Sequence, residues 1–226
     1  MPARYEINHF SQHLWRNMNM RVYGNAGWPL LVFPTQDAMC DNYENFGMID
    51  ELAEYIDNGQ FQLFCVDTVD WESWSDNYGD KVLRAERQEN YYRYIVDEVI
   101  PVIHEHNHSD RRPLTTGCSM GATHAAIVFL RRPDLFEGVI GFSGCYDAHY
   151  FFGAWMNNIL YENSPATFMP NLPAGHPISA STTSGSSSSA WARAPGKTKA
   201  SAPPASWTRR SGLKASPPGA TSGVST

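Results

Sequence analysis

Leu114-Thr115-Thr116-Gly117-Cys118-Ser119-Met120-Gly121-Ala122-Thr123-His124-Ala125-Ala126-Ile127-Val128-Phe129-Leu130 carries the strongest local signal in the chain. Leu114 to Gly117 reads as a strand, and Ala122 to Leu130 as a helix of small and apolar residues. Between them lies Gly117-Cys118-Ser119-Met120-Gly121, a G-x-S-x-G pattern in the strand-to-helix setting it needs to carry chemistry. A serine at so sharp a turn has its hydroxyl lifted above the sheet. Glycines two before and two after let the neighbouring backbone approach without Cβ clashes. The helix that follows points unpaired N–H groups at any developing anion, which makes the Met120 N–H a natural oxyanion donor. The competing reading is a chance Gly/Ser turn, and the strand before and helix after argue against it.

Working outward, strand and helix signals alternate. Trp15 to Tyr23 alternates Met18, Met20 and Val22 with Asn17, Asn19 and Arg21, as a half-buried strand does. Leu30 to Phe33 and Phe61 to Val66 are short continuous apolar runs, suited to strands covered on both faces. Phe46, Ile49, Leu52, Ala53 and Ile56 predict a helix stopped by Asn58-Gly59. A long helix is predicted from about Val82 to His106, kinked at Pro101, and a further strand over Val139 to Phe142. Tyr150 to Pro173, aromatic and rich in Asn and Pro, reads as a lid or cap loop. Such alternation predicts an α/β architecture, a mainly parallel sheet with helices on both faces and its chemistry at the carboxyl ends of the strands.

Composition divides the chain near Ser179. All 23 acidic residues and all 8 histidines precede it, and 38 of the last 48 residues are Ser, Ala, Thr, Pro or Gly. Residues 179–226 hold too few apolar side chains to offset the entropy of ordering them, so a disordered tail is expected after a domain of residues 1–178. The formal charge of −6 is the sum of −12 before Ser179 and +6 after it. An acidic body excludes nucleic acid as the natural partner. No stretch reaches membrane-spanning length and the first residues lack the apolar run of a signal peptide. Cys40, Cys65, Cys118 and Cys145 have no metal-like or redox-like spacing and read as reduced thiols, which implies the cytoplasm.

Thr116-Gly117-Cys118-Ser119-Met120-Gly121-Ala122 and Gly141-Phe142-Ser143-Gly144-Cys145-Tyr146-Asp147 together resemble the esterase-D-like α/β-hydrolases, which include S-formylglutathione hydrolases and mycolyltransferases. Phe33-Pro34-Thr35-Gln36-Asp37 is similar to the loop that supplies such enzymes with a second oxyanion N–H, here from Gln36 or Thr35, and Glu44-Asn45-Phe46-Gly47-Met48 continues the likeness. The resemblance covers about residues 5 to 178. It implies an α/β-hydrolase fold, a Ser119 nucleophile, a small acyl-ester substrate and no cofactor. It also implies the order serine, acid, histidine, the last two coming from the final third of the domain, which the tail here does not match.

A serine hydroxyl needs a base to take its proton. Behind Ser119 stand only His124, His149 and His176. His124 lies within the elbow helix and reads as packed or capping. His149 follows a strand end, and His176 sits in a Pro- and Gly-rich loop with no strand before it. Asp147 reads either as a triad acid or as a strand-end turn residue. Asp147, His149 and His176 therefore stand as the open candidates for acid and base. His104-Glu105-His106-Asn107-His108 approaches a metal spacing, but it reads as a helix end with the histidines favoured by the dipole, and no metal is expected. Trp71, Trp74 and Tyr78 fit either a pocket rim or a partly buried aromatic loop.

Three functions remain: a serine esterase or thioesterase, weak or silent as this chain stands; an acyltransferase; and a hydrolase-derived binding domain without turnover. The abrupt change near Ser179 predicts a frameshift. Gly196-Lys197-Thr198-Lys199-Ala200 requires GGN AAR ACN AAR GCN, and starting each codon one base earlier gives NAA RAC NAA RGC, which permits Glu-Asp-Glu-Gly, an acidic turn. Pro217 to Thr226 permits an aromatic strand in the same frame. Sequencing the gene is expected to find that frame open through this region and to encode a histidine beyond it; stop codons within it would show the tail to be native.

Overall fold

The computed structural model describes residues 2–173. Six strands form one sheet: β1 (Arg4–Ser11), β2 (Arg16–Tyr23), β3 (Trp28–Phe33), β4 (Phe61–Val66), β5 (Leu114–Cys118) and β6 (Gly138–Phe142). Their order across the sheet is β1-β2-β4-β3-β5-β6. The β1–β2 and β2–β4 pairs are antiparallel, while β3, β4, β5 and β6 run parallel to one another. The expected mainly parallel sheet is present, and β1 is an addition to it. Its alternation of Tyr5, Ile7 and His9 with Arg4, Glu6 and Asn8 is legible, and the hairpin pairs it in register from Arg4 opposite Tyr23 to Ser11 opposite Arg16.

Side chains leave a strand on alternate faces, so each central strand feeds two cores. Leu31, Phe33, Phe64 and Val66 join Met18, Met20 and Val22 beneath the long helices. Leu30, Val32, Leu63 and Cys65 meet Tyr43, Ile49 and Ile56 on the other side. That second face is covered by three short helices, α1 (Asn42–Asn45), α2 (Met48–Glu51) and α3 (Ala53–Asp57), where one helix was predicted. Gly47, at φ 74°, breaks the first turn from the second, and Phe46 is left exposed in place of Tyr43.

The long predicted helix is continuous but changes pitch. Lys81–Arg93 (α4) passes through a π-helical stretch, Tyr94–Val99, into Ile100–Asn107 (α5). Pro101 has no N–H to give and its ring crowds the turn before it, and the widened turns upstream accommodate both. The elbow helix α6 (Met120–Arg131) is buried along nearly its whole length. Residues Tyr150 to Pro173 are not a loop: α7 (His149–Phe152), α8 (Asn158–Glu162) and α9 (Pro165–Phe168) pack Phe152, Leu160 and Phe168 into the core beside α4 and α6. Short helices form here because their aromatics find a surface to bury against. Asn157 caps α8 by accepting from the Leu160 N–H.

A polar network fastens this segment. Arg131 makes a bidentate pair with Glu89 at 2.8 and 3.0 Å, and Asn163 donates to Glu89 Oε2 at 3.0 Å. Burial opposes ionisation of Glu89, but the hydrogen bonds from Arg131 and Asn163 outweigh it and hold the carboxyl below its ordinary 4.5. A carboxyl with a lowered folded-state value stabilises the fold fully above its unfolded value and loses that contribution as the pH falls through the folded one. Glu89→Gln is expected to cost about 2 kcal/mol at pH 7. In urea unfolding series the variant should also lose part of the decline in stability expected of the parent chain below about pH 4.5.

Candidate active site

Ser119 stands between β5 and α6 with φ 55° and ψ −122°, a conformation that costs a side-chain-bearing residue of order 1–3 kcal/mol. It is held there from both sides. Its N–H donates to the Phe142 carbonyl at 2.9 Å, and its carbonyl accepts from Ala122 at 3.1 Å and Thr123 at 3.3 Å. The side chain is exposed. The flanking glycines are required by close approach: a Cβ on Gly117 would lie 2.4 Å from the Gly121 carbonyl carbon, and one on Gly121 would lie 2.3 Å from the Phe33 carbonyl oxygen. The Met120 N–H, first in the helix, has no acceptor among the described residues.

The loop after β3 separates the two candidates for a second oxyanion donor. Thr35 donates its N–H to Asn42 Oδ1 at 2.9 Å, so that group is committed. The Gln36 N–H meets no acceptor among the described residues, and Gln36 is exposed. Around it the loop is fixed. Ala38 N–H donates to the Thr35 carbonyl at 3.0 Å, Thr68 Oγ1 to the Ala38 carbonyl at 3.2 Å, and Cys40 N–H to Asp67 Oδ1 at 3.0 Å. Asp37, in the left-handed region at φ 59°, gives its N–H to Asp70 Oδ2 at 3.4 Å.

The acid and base candidates fall in three places. Asp147 and His149 bond to each other, Oδ1 to Nδ1 at 2.7 Å, with the His149 N–H adding a second bond at 3.0 Å. Both are half exposed, and neither bonds to Ser119 among the described residues. His176 lies outside the described residues, as does the expected tail of residues 179–226. His124 is packed, its Nε2 2.8 Å from Asp70 Oδ1 with both side chains 1% exposed. Phe33 stacks on its ring at 5.9 Å and Tyr91 meets it edge-on at 5.0 Å. Asp70 is the residue that sequence reasoning missed. It stands 54 positions from its partner, in a Trp- and Asp-rich loop where nothing distinguishes it from its neighbours.

The remaining features resolve individually. Trp74 is core, 1% exposed with its indole N–H on Gln88 Oε1 at 2.7 Å, while Trp71 carries Arg16 over its ring and Tyr78 is fully exposed. His106 packs against Tyr5, and His108 ends α5 in the left-handed region. No group of three His, Cys, Asp or Glu side chains among the described residues could hold a metal ion. Burial pushes the Cys40 thiol up to about 12, which leaves it unreactive near neutrality. A cleft of about 400 Å³ lined by Tyr92, Arg131, Tyr161 and Phe168 lies at the far end of α6 from Ser119. No helix among the described residues is long and apolar enough to cross a membrane.

A mostly parallel sheet of this order, with a strained serine at the β5–α6 turn, has the α/β-hydrolase fold. A family model described as "Putative esterase" matches residues 11–211, and the chain belongs to that esterase family. The match runs past residue 178 into the Ser- and Ala-rich stretch, farther than the motif resemblance reaches. Among solved structures, the S-formylglutathione hydrolase of Staphylococcus aureus is similar at 16% identity and TM-score 0.57, over 76% of this chain and 74% of that one. A fluorophosphonate-binding serine hydrolase of Staphylococcus aureus is similar at 17% identity and TM-score 0.57, over 75% and 73%. A ferulic acid esterase of the anaerobic fungus Anaeromyces mucronatus is similar at 14% identity and TM-score 0.53, over 64% and 59%. At these identities the likeness establishes the fold. No curated protein sequence matches the chain.

The backbone of Ser119 makes its own prediction. Glycine enters this region of φ and ψ without penalty, whereas alanine keeps the Cβ and the strain. Ser119→Gly is expected to be more stable than Ser119→Ala by about 1 kcal/mol in urea denaturation, and equal midpoints would show the turn to be unstrained.

Proposed function

We propose that the chain is a serine carboxylic-ester or thioester hydrolase whose nucleophile is Ser119. The observation that carries this reading is the Ser119 backbone, strained at φ 55° and locked between Gly117 and Gly121 with its side chain exposed. Strain of this kind persists only where surrounding structure enforces it, and it clusters at active sites. Ser119 Oγ would bond to the acyl carbon while its proton passes to a base. The Met120 and Gln36 N–H groups would hold the resulting oxyanion. Collapse of the intermediate expels the alcohol or thiol, which takes the proton, and water then releases the acid from the acyl-enzyme.

On this reading Asp147 and His149 form an acid–base pair of the right chemistry that is not engaged with Ser119, and turnover by the chain alone is at most slight. That same observation favours a second reading, a hydrolase-fold binding domain without turnover. Acyl transfer differs from hydrolysis only in which acceptor replaces water. Four free thiols, with Cys40 and Cys65 buried, support a reducing cytoplasm.

The chain is expected to be labelled at Ser119 by a fluorophosphonate and to hydrolyse p-nitrophenyl acetate slowly, with both lost in Ser119→Ala. Peptide mass spectrometry locates the label. Labelling or hydrolysis that survives the alanine substitution removes Ser119 as the nucleophile, and complete inertness of the parent chain favours the binding domain.

A further inference from the structure

The buried pair of His124 and Asp70 links two pieces of the site, the elbow helix and the loop after β3. His124 rides on the elbow helix, five residues after Ser119. Asp70 accepts from or donates to His124 Nε2 through Oδ1 at 2.8 Å, and through Oδ2 it accepts the Asp37 N–H at 3.4 Å. Asp37 is the residue directly after Gln36. The Asp70 carbonyl is fixed in turn by the N–H groups of Ser73 at 2.9 Å and Ser75 at 2.8 Å. One carboxylate therefore spans from the helix that carries the nucleophile to the loop that carries the second oxyanion candidate.

Stability alone gives a poor account of this arrangement. Both side chains are 1% exposed, and His124 is caged by Phe33 and Tyr91, a setting that suits an apolar side chain. Replacing a buried charged pair by apolar residues is often neutral or stabilising. The other ties on the loop, from Asn42, Asp67 and Thr68, reach it from α1 and the loop after β4 and none of them comes from the elbow helix.

We infer that His124 and Asp70 are positioning residues which hold the Gln36 N–H in register with the Ser119 elbow. The inference rests on the serine-hydrolase reading above. Losing one oxyanion donor outright costs about 10²- to 10³-fold in kcat, so a displaced donor should cost about ten- to a hundredfold.

The test uses the full chain with Asp70→Asn, His124→Gln and the double variant His124→Leu/Asp70→Ala, which leaves no buried unpaired charge if either single substitution impairs folding. Two quantities are measured: amide hydrogen exchange at Asp37, against Val32 and Thr116 in the neighbouring strands, and the rate of fluorophosphonate labelling with kcat and KM for p-nitrophenyl acetate. In the double variant, Asp37 exchange should rise at least about tenfold while the strand amides hold, and labelling and kcat should fall about ten- to a hundredfold with KM little changed. Asp70→Asn keeps an oxygen for Asp37 and an amide for His124, so it should stay close to the parent. A double variant with Asp37 exchange, labelling and kcat at parental values overturns the inference, as does a uniform rise in exchange across all three amides. If the parent itself does not label, the hydrolase reading fails, and Asp37 exchange alone then decides whether the pair holds the loop.

Discussion

The site depends on one contact between backbones. The start of α6 lies so close to the end of β3 that Gly121 has no room for a Cβ beside the carbonyls of Phe33 and Pro34, and Gly117 has none beside Gly121. That approach brings the Ser119 turn and the loop after β3 to the same end of the sheet. It also fixes where α6 must begin, which forces Ser119 into its unfavourable backbone state. The parallel strands supply the rigidity that maintains the strain, since Ser119 is tied to Phe142 of β6, and Gly117 before it and Met120 after it are buried.

Polar groups then fix what packing leaves loose. A loop cannot be held by apolar contacts alone, because its backbone groups need partners once they are covered. The segment from Thr35 to Cys40 meets this need with side chains from three directions: Asn42 after it, Asp67 and Thr68 beyond β4, and Asp70. Asp67 also receives the N–H and side-chain amide of Asn19, so the same short stretch ties β2 to the site edge. On the far side of the molecule Glu89, Arg131, Asn163 and Gln88 perform the equivalent task for the helices after β6.

The other edge of the sheet is less finished. Ile140 and Phe142 on β6 are 45% and 53% exposed, and no strand among the described residues pairs with β6 on its outer side. An open apolar edge is a liability that soluble proteins ordinarily cover, twist away or charge. The Asp147–His149 pair sits just past this edge, bonded internally and half exposed. Two of the candidates for acid and base therefore fall beside a sheet edge that the described residues leave uncovered.

The alternating elements, the parallel centre of the sheet and the serine at the strand-to-helix turn are all legible along the chain. Each rests on a local pattern: apolar runs such as Leu30 to Phe33, small residues from Ala122 onward, and glycines at fixed offsets around Ser119. Local patterns also concealed some things. Gly47 divides a helix that its apolar spacing joined, and the aromatics from Tyr150 onward were too irregular to announce three helices. Packing in three dimensions was needed to reveal that Thr35 has given away its N–H while Gln36 has not, and that His124 pairs with Asp70 and not with Ser119. The reason is physical: a hydrogen bond between residues 7 or 54 positions apart depends on which side chains the packed fold brings within 3 Å, and neither periodicity nor composition encodes that distance.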